Sequence, residues 1–569
     1  MKENINKLVE KLYLAYYERP ADKEGFAYWT QKLKSGQTLE KITKEFMNSE
    51  EAEQLYKNTT LKEKIEMIYQ TLFDREPDEN GLEFYLNKTK SGKYTDADVV
   101  LRIAEGAKGD DKKLLEKKLI YAEEFSQKLG EKINEENVEG IRNWIKGLKK
   151  EENVTPYSVF PSSKTESLLS GNFWKDKIIT YSFPKEVPED YYDTENKQLY
   201  QGWEAFNEKE KEVTKEILHE IESFSQITFK EVEKDGLIRF NQTQTIGDEK
   251  GFAFYPSETS SLGGDVWISK ELGENGFNNG DLGKFVLLHE IGHALGLKHP
   301  FEGFPTLSKE EDNTNYTVMS YTPKRELIVK FIINKIENQV SANAEAKAWP
   351  EHYSLYDISA LQTLYGINKE YNIENNIYNV SSLYKEKKHL ALWDAGGIDT
   401  LDAEFADEKC IINLKPGSLS SIDMHTPEKQ VEENIKNGDL PEQLKDWALS
   451  FFKEMNQKYP EELYTGEDNL SIADKCIIEN VITGKGDDYI KDNQWDNFIV
   501  SGDGNDTIIL QGEGCDFVYG GNGWDKVIIE LPQETIETQE IDNGVWILEG
   551  KENDFFALLW GVEEVTYGT

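Results

Sequence analysis

The stretch HEIGHALGLKHP, residues 289–300, decides how the rest of this 569-residue sequence is interpreted. It holds three of the chain's seven histidines. Positions i and i+4 of an α-helix share one face, so His289 and His293 can direct two imidazoles at one metal ion. Gly296 then lets the chain reverse at positive φ, which brings His299 back as a third nitrogen ligand. Three nitrogens with the fourth position left for water predict a catalytic zinc site.

The acid beside the first histidine has a different expected role. Glu290 lies one position round the helix, where it can contact a water on the metal rather than the metal itself. Zinc lowers the pKa of such a water towards about 7, and a carboxylate can then remove its proton for attack on a carbonyl. We therefore predict that Glu290 is the catalytic base and afterwards the proton donor. The alternative is a helix that carries histidines for packing alone, and the complete HExxHxxGxxH spacing argues against it.

This spacing resembles that of the metzincin peptidases, and its neighbours resemble the serralysin branch of that family. The resemblance rests on Pro300, on GGDVWI (263–268) and on EDNTNYTVMSY (311–321). It implies that Met319 forms a Met-turn beneath the zinc ligands, and that Tyr321 ligates zinc at rest and later hydrogen-bonds the oxyanion. It also implies a strand at the cleft edge, where an extended substrate pairs with the backbone. We expect that strand to contain Gly264, Asp265, Val266 and Trp267.

The resemblance covers roughly residues 165–569. Three further segments carry it: LLSGNFWKDKIITYSFP (168–184), YDISALQTLYGIN (356–368) and LWDAGGIDTLD (392–402). They resemble, in turn, the start of the catalytic domain, the helix that closes it and the entry to a calcium β-roll. Two segments depart from the family pattern, residues 326–350 after the Met-turn and the acidic, helix-like residues 427–465. Both leave the substrate preference open, but not the chemistry.

Nine-residue frames of the type GGxGxDxUx follow in the C-terminal region. They begin at residues 483, 492, 501, 511 and 520. Their glycines expose backbone carbonyls and their sixth-position carboxylate binds a hard cation, so we predict calcium sites between stacked loops. With two frames per turn, Asp488, Asp506 and Asp525 share one edge and should form full sites. The other edge carries Asn497 and Asp516 and should bind calcium more weakly, and Asp394 and Asp399 are candidates for a further site.

The N-terminal region contains an internal repeat. Residues 12–36 recur as residues 68–92, with matching tyrosine, arginine, aspartate and glycine positions. Apolar residues at three- and four-residue spacing predict helices, and the Pro and Asp before each glycine predict a turn between them. The region resembles the small helical domains of unknown function that accompany bacterial calcium-repeat and surface-layer proteins. We expect a packing and docking module, possessing no chemistry of its own.

Composition limits the classes of partner. The chain has 107 acidic and 65 basic residues and a formal net charge of −42, which disfavours nucleic acid and anionic membrane surfaces. Its three cysteines form no CxxC pair, which excludes a disulfide scaffold or a cysteine-based zinc site. No run of about eighteen apolar residues predicts a membrane span. The first twenty residues lack the apolar core of a secretory signal, so we expect export without a cleaved N-terminal signal.

Together these features predict a multidomain chain. We expect an all-α domain over 1–150, an α+β metzincin protease domain over 151–375 that opens with a polar linker, and a parallel calcium β-roll over 376–569. The resemblance implies that a type I secretion machinery reads the C-terminus, and calcium outside the cell would fold the acidic roll. The predicted function is an extracellular or cell-surface-associated zinc endopeptidase that cleaves proteins or peptides.

Two alternatives stay open at this point. In the first, the chain is a non-enzymatic surface-layer or adhesin component whose protease domain is a scaffold. In the second, the N-terminal repeats are the main functional part and attach the chain to a cell-surface component, with the protease as a maturation device. The role of residues 1–165, as propeptide, inhibitor or anchor, is also open.

Overall fold

The computed structural model describes residues 5–134, 137–149, 163–193, 202–244, 250–334, 339–542, 544–551 and 553–568. The chain divides into two compact units, one of residues 1–155, 479–481 and 492–569, the other of residues 156–478 and 482–491. N-terminal helices and C-terminal strands therefore share a unit although the second unit separates them in sequence. The domain limits drawn from the sequence stay a prediction. Residues 151–162 of the predicted linker and Thr569 lie outside the described residues.

Helices make up the N-terminal part of the first unit. They are Ile5–Tyr17, Lys23–Lys34, Leu39–Met47, Glu50–Leu55, Leu61–Phe73, Glu79–Lys90, Asp96–Glu105, Asp110–Leu129 and Val138–Gly147. The repeat produces two equivalent helix pairs, and its matching aspartates begin the second helix of each pair. Asp22 accepts a hydrogen bond from the backbone N–H of Gly25 at 2.7 Å, and Asp78 accepts one from Gly81 at 2.8 Å. Each aspartate satisfies a donor that the helix start leaves without an intrahelical partner.

A buried acid lies in the first helix. Glu10 is fully buried, and its Oε2 accepts a hydrogen bond from the backbone N–H of Ala21 at 3.1 Å. Burial raises the pKa of Glu10 to about 8, because the charged form loses its hydration. In the folded protein this carboxyl is therefore protonated at neutral pH.

Glu10→Gln is expected to remove a pH dependence of stability. The pKa of Glu10 is raised in the folded state, so stability is lost as pH rises from the unfolded pKa, near 4.5, through about 8. Between pH 5 and pH 9 the unfolding free energy of the wild type should fall by on the order of 2–4 kcal/mol through this group. The neutral variant should not show this decrease. Urea unfolding followed by helical circular dichroism at both pH values measures this. Glu40→Gln, at an exposed helical position, is the control, and an equal effect there would contradict the assignment.

Strands form the C-terminal part of the first unit. They are Phe498–Val500, Thr507–Leu510, Cys515–Tyr519, Lys526–Pro532, Ile536–Asp542, Val545–Gly550, Phe556–Trp560 and Glu564–Gly568. Strands from alternate frames pair in parallel, since Phe498 lies opposite Phe517 and Thr507 lies opposite Lys526. The strand Asn480–Ile482 falls on the boundary between the two units. Frames two and four thus contribute to one sheet, and frames three and five to another.

The helices and strands of the first unit share a core. Trp144 is fully buried, and its ring centroid lies 4.9 Å from that of Phe517 and 6.1 Å from that of Phe498. At the edge of this core, Tyr121 donates a hydrogen bond to the backbone oxygen of Asp496 at 2.6 Å, and Lys117 forms an ion pair with its carboxylate at 2.8 Å. The N-terminal helices therefore cover one face of the C-terminal strands.

The second unit contains the region with the histidine motif. Its helices are Ser163–Glu166, Glu208–Phe224, Leu282–Ala294, Leu355–Tyr365, Leu383–Glu386, Pro427–Asn437 and Lys445–Lys458. Its strands are Ile178–Ser182, Glu204–Ala205, Thr228–Glu231, Ile238–Thr243, Gly251–Ala253, Val266–Ser269, Leu327–Asn334, Gln339–Ala346, Ile377–Asn379, Leu390–Leu392, Thr400–Asp402, Ile411–Asn413, Ser418–Ser420, Leu470–Ile472 and Tyr489–Lys491. An N-terminal helical region is thus followed by mixed α/β structure and many strands. Among the described residues, no helix combines the length and apolar character needed to cross a bilayer.

One sheet of the second unit positions the histidine motif. Its main path runs Thr228–Glu231, Ile178–Ser182, Ile238–Thr243, Val266–Ser269 and Gly251–Ala253. The first four strands are parallel, and the edge strand Gly251–Ala253 is antiparallel to its neighbour. The helix Leu282–Ala294, here called the histidine helix, packs against the last two strands. The free edge of the sheet therefore lies beside the histidine motif.

The two segments that depart from the family pattern pack together. Residues 326–350 contain the hairpin Leu327–Asn334 and Gln339–Ala346, and residues 427–465 contain two helices. They share one apolar core, formed by Leu327, Phe331, Val431, Leu440, Ala448, Phe452, Met455 and Leu463. Segments that lie about eighty residues apart in sequence thus form one small accessory module.

Candidate metal centre

The histidine helix is buried on all sides and ends in a tight reversal. Its last turn is followed by Gly296 at φ 105°. A Cβ at this position would lie 2.1 Å from the backbone oxygen of Asn172, so both the conformation and the close approach require glycine. Beyond it, Lys298 donates its backbone N–H to Leu168 at 2.7 Å. The reversal thus fixes the direction in which the chain returns to His299.

Three imidazole nitrogens converge at this reversal. The Nε2 of His299 lies 3.2 Å from that of His289 and 3.1 Å from that of His293. Nitrogens at 2.0–2.1 Å from a tetrahedral zinc are about 3.3 Å apart, so the observed spacing fits such a site. Among the described residues, no other set of three or more histidine, cysteine or carboxylate side chains is close enough to share an ion.

Hydrogen bonds to backbone carbonyls orient the imidazoles of His289 and His293. The Nδ1 of His289 lies 2.7 Å from the backbone oxygen of Val318, and the Nδ1 of His293 lies 2.7 Å from that of Leu297. Since a carbonyl only accepts, both Nδ1 atoms carry the proton and both Nε2 lone pairs face the centre. The Nδ1 of His299 lies 3.0 Å from the carboxylate of Glu302.

Burial keeps two of the imidazoles neutral. Burial, together with the charge of the neighbouring histidines, lowers the pKa of His289 to about 3 and that of His293 to about 4. A neutral imidazole is the form that binds a metal, so the site needs no deprotonation at neutral pH.

Glu290 lies between the histidine helix and the edge strand. Its side chain is buried, and a Cβ on Gly251 would lie 2.9 Å from its Cγ and 3.0 Å from its Oε1. The bare backbone of the edge strand therefore sets the position of this carboxylate, which is not one of the three converging ligands.

The Met-turn packs against the same helix. Met319 is fully buried, and its sulfur would lie 2.6 Å from a Cβ on Gly292, so glycine in the helix makes room for it. The turn is held by Asp357, whose carboxylate accepts hydrogen bonds from the Thr317 hydroxyl at 2.6 Å and the Val318 N–H at 2.8 Å. Asp357 therefore connects the helix Leu355–Tyr365 to the carbonyl that orients His289.

Tyr321 lies beside the cluster with its ring largely in solvent. The side chain is 67% exposed, and its ring centroid is 4.5 Å from that of His299 and 5.6 Å from that of His289. The structure thus brings His289, Glu290, His293, His299, Met319 and Tyr321 together at one centre.

Curated proteins that are similar in sequence to this chain are metalloproteases. The serralysin of Proteus mirabilis is 28% identical over 354 residues, which is 56% of this chain and 60% of that protein. Serralysin G of Dickeya chrysanthemi is 27% identical over 355 residues, with shares of 58% and 62%. The chain is homologous to the serralysins. The metalloprotease AprA of Pseudomonas entomophila is also 28% identical, over 45% of this chain and 56% of that protein.

The N-terminal helical region matches a family model of its own. Residues 4–56 and 43–108 match the family model of a domain of unknown function, DUF4214. The chain spans about 60% of the length of the serralysins that it matches. The predicted resemblance to the serralysins is confirmed, and the histidine cluster fits the zinc site that this homology implies.

The structure places the predicted cleft strand inside the sheet. Gly264, Asp265, Val266 and Trp267 are buried. The strand Val266–Ser269 is paired on both sides, so neither of its edges is open. The carboxylate of Asp265 is bound by Arg239 at 2.8 Å and by the Tyr191 hydroxyl at 2.7 Å. Among the described residues, the strand at the edge of the sheet next to the histidine cluster is Gly251–Ala253.

The candidate calcium ligands are buried at the loops between short strands. Within the first unit, Asp525 accepts the Asp506 N–H and Asp516 accepts the Asn497 N–H, both at 3.0 Å. Burial raises the pKa of Asp525 to about 6 and that of Asp516 well above its usual range. Within the second unit, Asp488 accepts the Cys410 N–H at 2.6 Å.

A second pair of candidate calcium ligands lies near the entry to the β region. Asp394 accepts the Gly396 N–H at 2.8 Å, and Asp399 accepts the Asn376 N–H at 2.8 Å. Burial, together with the charge of Asp394, raises the pKa of Asp399 to about 8. The two carboxylates therefore repel each other when both are ionised.

Sequence reasoning missed two residues that support the site. Asp357 occupies the fourth position of the capping box that begins at Ser354, a pattern visible in the sequence as SLYD. Glu302 lies three residues after the third histidine, within reach of its Nδ1. A search for carboxylates close to each ligand in sequence would have found Glu302.

Proposed function

We propose that the chain is a zinc endopeptidase that acts outside the cell on proteins or peptides. The observation that carries the proposal is the convergence of three Nε2 atoms, with Glu290 and Tyr321 beside them. Backbone carbonyls at Nδ1 direct the imidazoles of His289 and His293 inward. His289, His293 and His299 would hold the ion. Zn²⁺ in such a site acts as a Lewis acid and lowers the pKa of a coordinated water to about 7.

Residues of the chain bind the substrate, transfer the proton and stabilise the oxyanion. A substrate in extended conformation pairs with the free edge of Gly251–Ala253, which places a peptide carbonyl next to Glu290. Glu290 accepts the proton of the attacking water and returns it to the leaving amine. The Tyr321 hydroxyl donates a hydrogen bond to the oxyanion, and the exposed ring has room to turn towards it.

Cleavage of an unfolded protein tests the proposal. The full chain, refolded with zinc and calcium, should degrade casein, lose this activity with a zinc chelator and regain it with one equivalent of zinc. A zinc-loaded, folded protein that releases no peptides from casein would contradict the proposal and favour the scaffold alternative.

We further propose that the nine-residue frames form a calcium-binding β-roll. Parallel pairing of alternate frames and buried carboxylates at their sixth positions support it. Without a cation, these desolvated carboxylates repel one another, so low calcium should keep the acidic region unfolded until export through a type I channel. The helix Val138–Gly147, which follows the DUF4214-like residues, then covers the C-terminal strands through Trp144. The DUF4214-like helices remain the candidate for contact with a cell-surface component.

Calcium removal is expected to destabilise the first unit. Each occupied site contributes about 2.7 kcal/mol when free calcium is a hundred times Kd. A calcium chelator should therefore lower the unfolding free energy by at least about this amount, measured by urea unfolding. Asp525→Asn should show a smaller loss on chelation, whereas Asp554→Asn, at an exposed site in the same unit, should respond like the wild type. Equal responses in all three proteins would contradict calcium binding at Asp525.

A further inference from the structure

We propose that residues 300–307, here called the aromatic loop, form a recognition rim that selects a bulky apolar side chain beside the scissile bond. The proposal rests on the proposed endopeptidase function and names the substrate class of the same site. Phe301 and Tyr321, which lie against His299, and the exposed Phe304 in the same loop carry it.

The aromatic loop has a fixed shape. The Leu307 N–H donates to the Pro300 oxygen at 3.0 Å, which closes the loop at its base. Lys298 lies beneath it and donates to the backbone oxygens of Ser167 at 2.6 Å, of Pro305 at 3.2 Å and of Glu302. One ammonium thus binds the loop to the body of the unit at three carbonyls. A loop held in this way presents its side chains without a large ordering cost on binding.

The loop presents apolar rings that the fold itself does not use. Phe304 is 97% exposed, so it contributes almost nothing to the core. The ring of Phe301 is nearly parallel to the imidazole of His299, at a centroid distance of 5.1 Å and an interplanar angle of 4°. It also lies 5.2 Å from Tyr321, and both rings are partly exposed. The exposed aromatic surface therefore begins at a proposed zinc ligand and continues into the loop, as expected of a binding surface.

The surface next to His293 is more polar than the aromatic loop. Tyr255 lies against His293, at a centroid distance of 5.5 Å. It lines an open cleft of about 510 Å³ together with Phe173, Trp174 and the exposed ion pair of Lys175 and Glu258. A charged and open cleft suits a polar or variable side chain. The two sides of the centre thus differ, and the apolar residue of the substrate belongs at the aromatic loop.

Phe304→Ser tests the rim. Pairs of fluorogenic peptides that differ only in leucine or glycine at one position near the cleaved bond would be compared. For the position that contacts the loop, we expect the variant to lower kcat/KM on the leucine peptide about tenfold, or about 1.4 kcal/mol. On the glycine peptide it should change kcat/KM less than twofold. Phe405→Ser removes a 67% exposed ring elsewhere in the unit and should change neither value.

Several outcomes would overturn the rim. These are an equal decrease of kcat/KM on both peptides, no decrease on either peptide, or the same decrease in Phe405→Ser. A change of oligomeric state in Phe304→Ser, measured by sedimentation, would assign the ring to contact with a second copy instead. Peptide binding to the Glu290→Gln protein, followed by fluorescence anisotropy, keeps the test independent of turnover. A preference for leucine that Phe304→Ser removes would support the rim even if the endopeptidase proposal fails.

Discussion

Glu290→Gln is expected to lower kcat for peptide hydrolysis by about 10²–10⁴-fold while zinc binding is retained. Glutamine has nearly the same shape as glutamate, but its amide cannot take a proton from the attacking water. The three nitrogens that converge on the centre belong to His289, His293 and His299, so the substitution removes no ligand. Hydrolysis of a fluorogenic peptide and metal analysis of the same sample measure the two properties together.

Glu302→Gln provides the matched control for this prediction. Glu302 is also an acid at the centre, but its carboxylate lies at the Nδ1 of His299, on the far side of the ring from the proposed metal. Loss of such a supporting partner lowers metal affinity about 10–100-fold, and saturating zinc should restore the activity. If Glu290→Gln retained its kcat, or if added zinc rescued it, Glu290 would not be the base.

The metal centre was predictable because its signal is local. His289 and His293 are one helical turn apart, and a single glycine accounts for the return of His299. Backbone geometry alone connects this spacing to a shared centre. Residues from distant segments that contact the histidines show no regular spacing in the sequence. The orienting oxygen of Val318 lies 29 residues from His289, and its position depends on how the Met-turn packs.

The neighbours of the predicted cleft strand within the sheet were not predictable from the sequence. A β-strand can be identified from its residues, but the sequence does not state which strand lies beside it. The resemblance to the serralysins implied that the strand with Gly264, Asp265, Val266 and Trp267 lies at the cleft edge. In the sheet, Gly251–Ala253 folds back antiparallel and takes that edge. Val266, Trp267 and Ile268 are consecutive apolar residues, and such a run is typical of an interior strand that is buried on both faces. This run could have indicated the position of the strand.

Packing between distant segments was also invisible in the sequence. Trp144 lies among other apolar residues of an amphipathic helix, and nothing near it indicates that its partner is Phe517. The same holds for Phe331 and Phe452, which join the two segments that depart from the family pattern. Amphipathic patterns show that a face is buried, but any apolar surface of the chain can cover it.

Asp357→Ala is expected to be among the most destabilising single substitutions in the second unit. Asp357 is fully buried and accepts hydrogen bonds from the Thr317 hydroxyl, the Val318 N–H and, at 3.0 Å, the Ser354 N–H. Alanine leaves three buried donors without an acceptor, at about 1–3 kcal/mol each, so the unfolding free energy should fall by about 3–9 kcal/mol. Urea unfolding of the zinc-free protein measures this loss without a contribution from the metal.

Measurement of zinc affinity shows whether Asp357 supports the histidine cluster or only stabilises the fold. Because Asp357 holds the turn whose Val318 oxygen orients His289, its loss should also weaken zinc binding by about 10–100-fold. Competition with a chromophoric chelator, at a temperature where the variant is folded, gives this affinity. Asp357→Asn keeps one acceptor oxygen and should lie between wild type and Asp357→Ala in both measurements. A folded Asp357→Ala protein with wild-type zinc affinity would show that the Met-turn holds its position without this carboxylate.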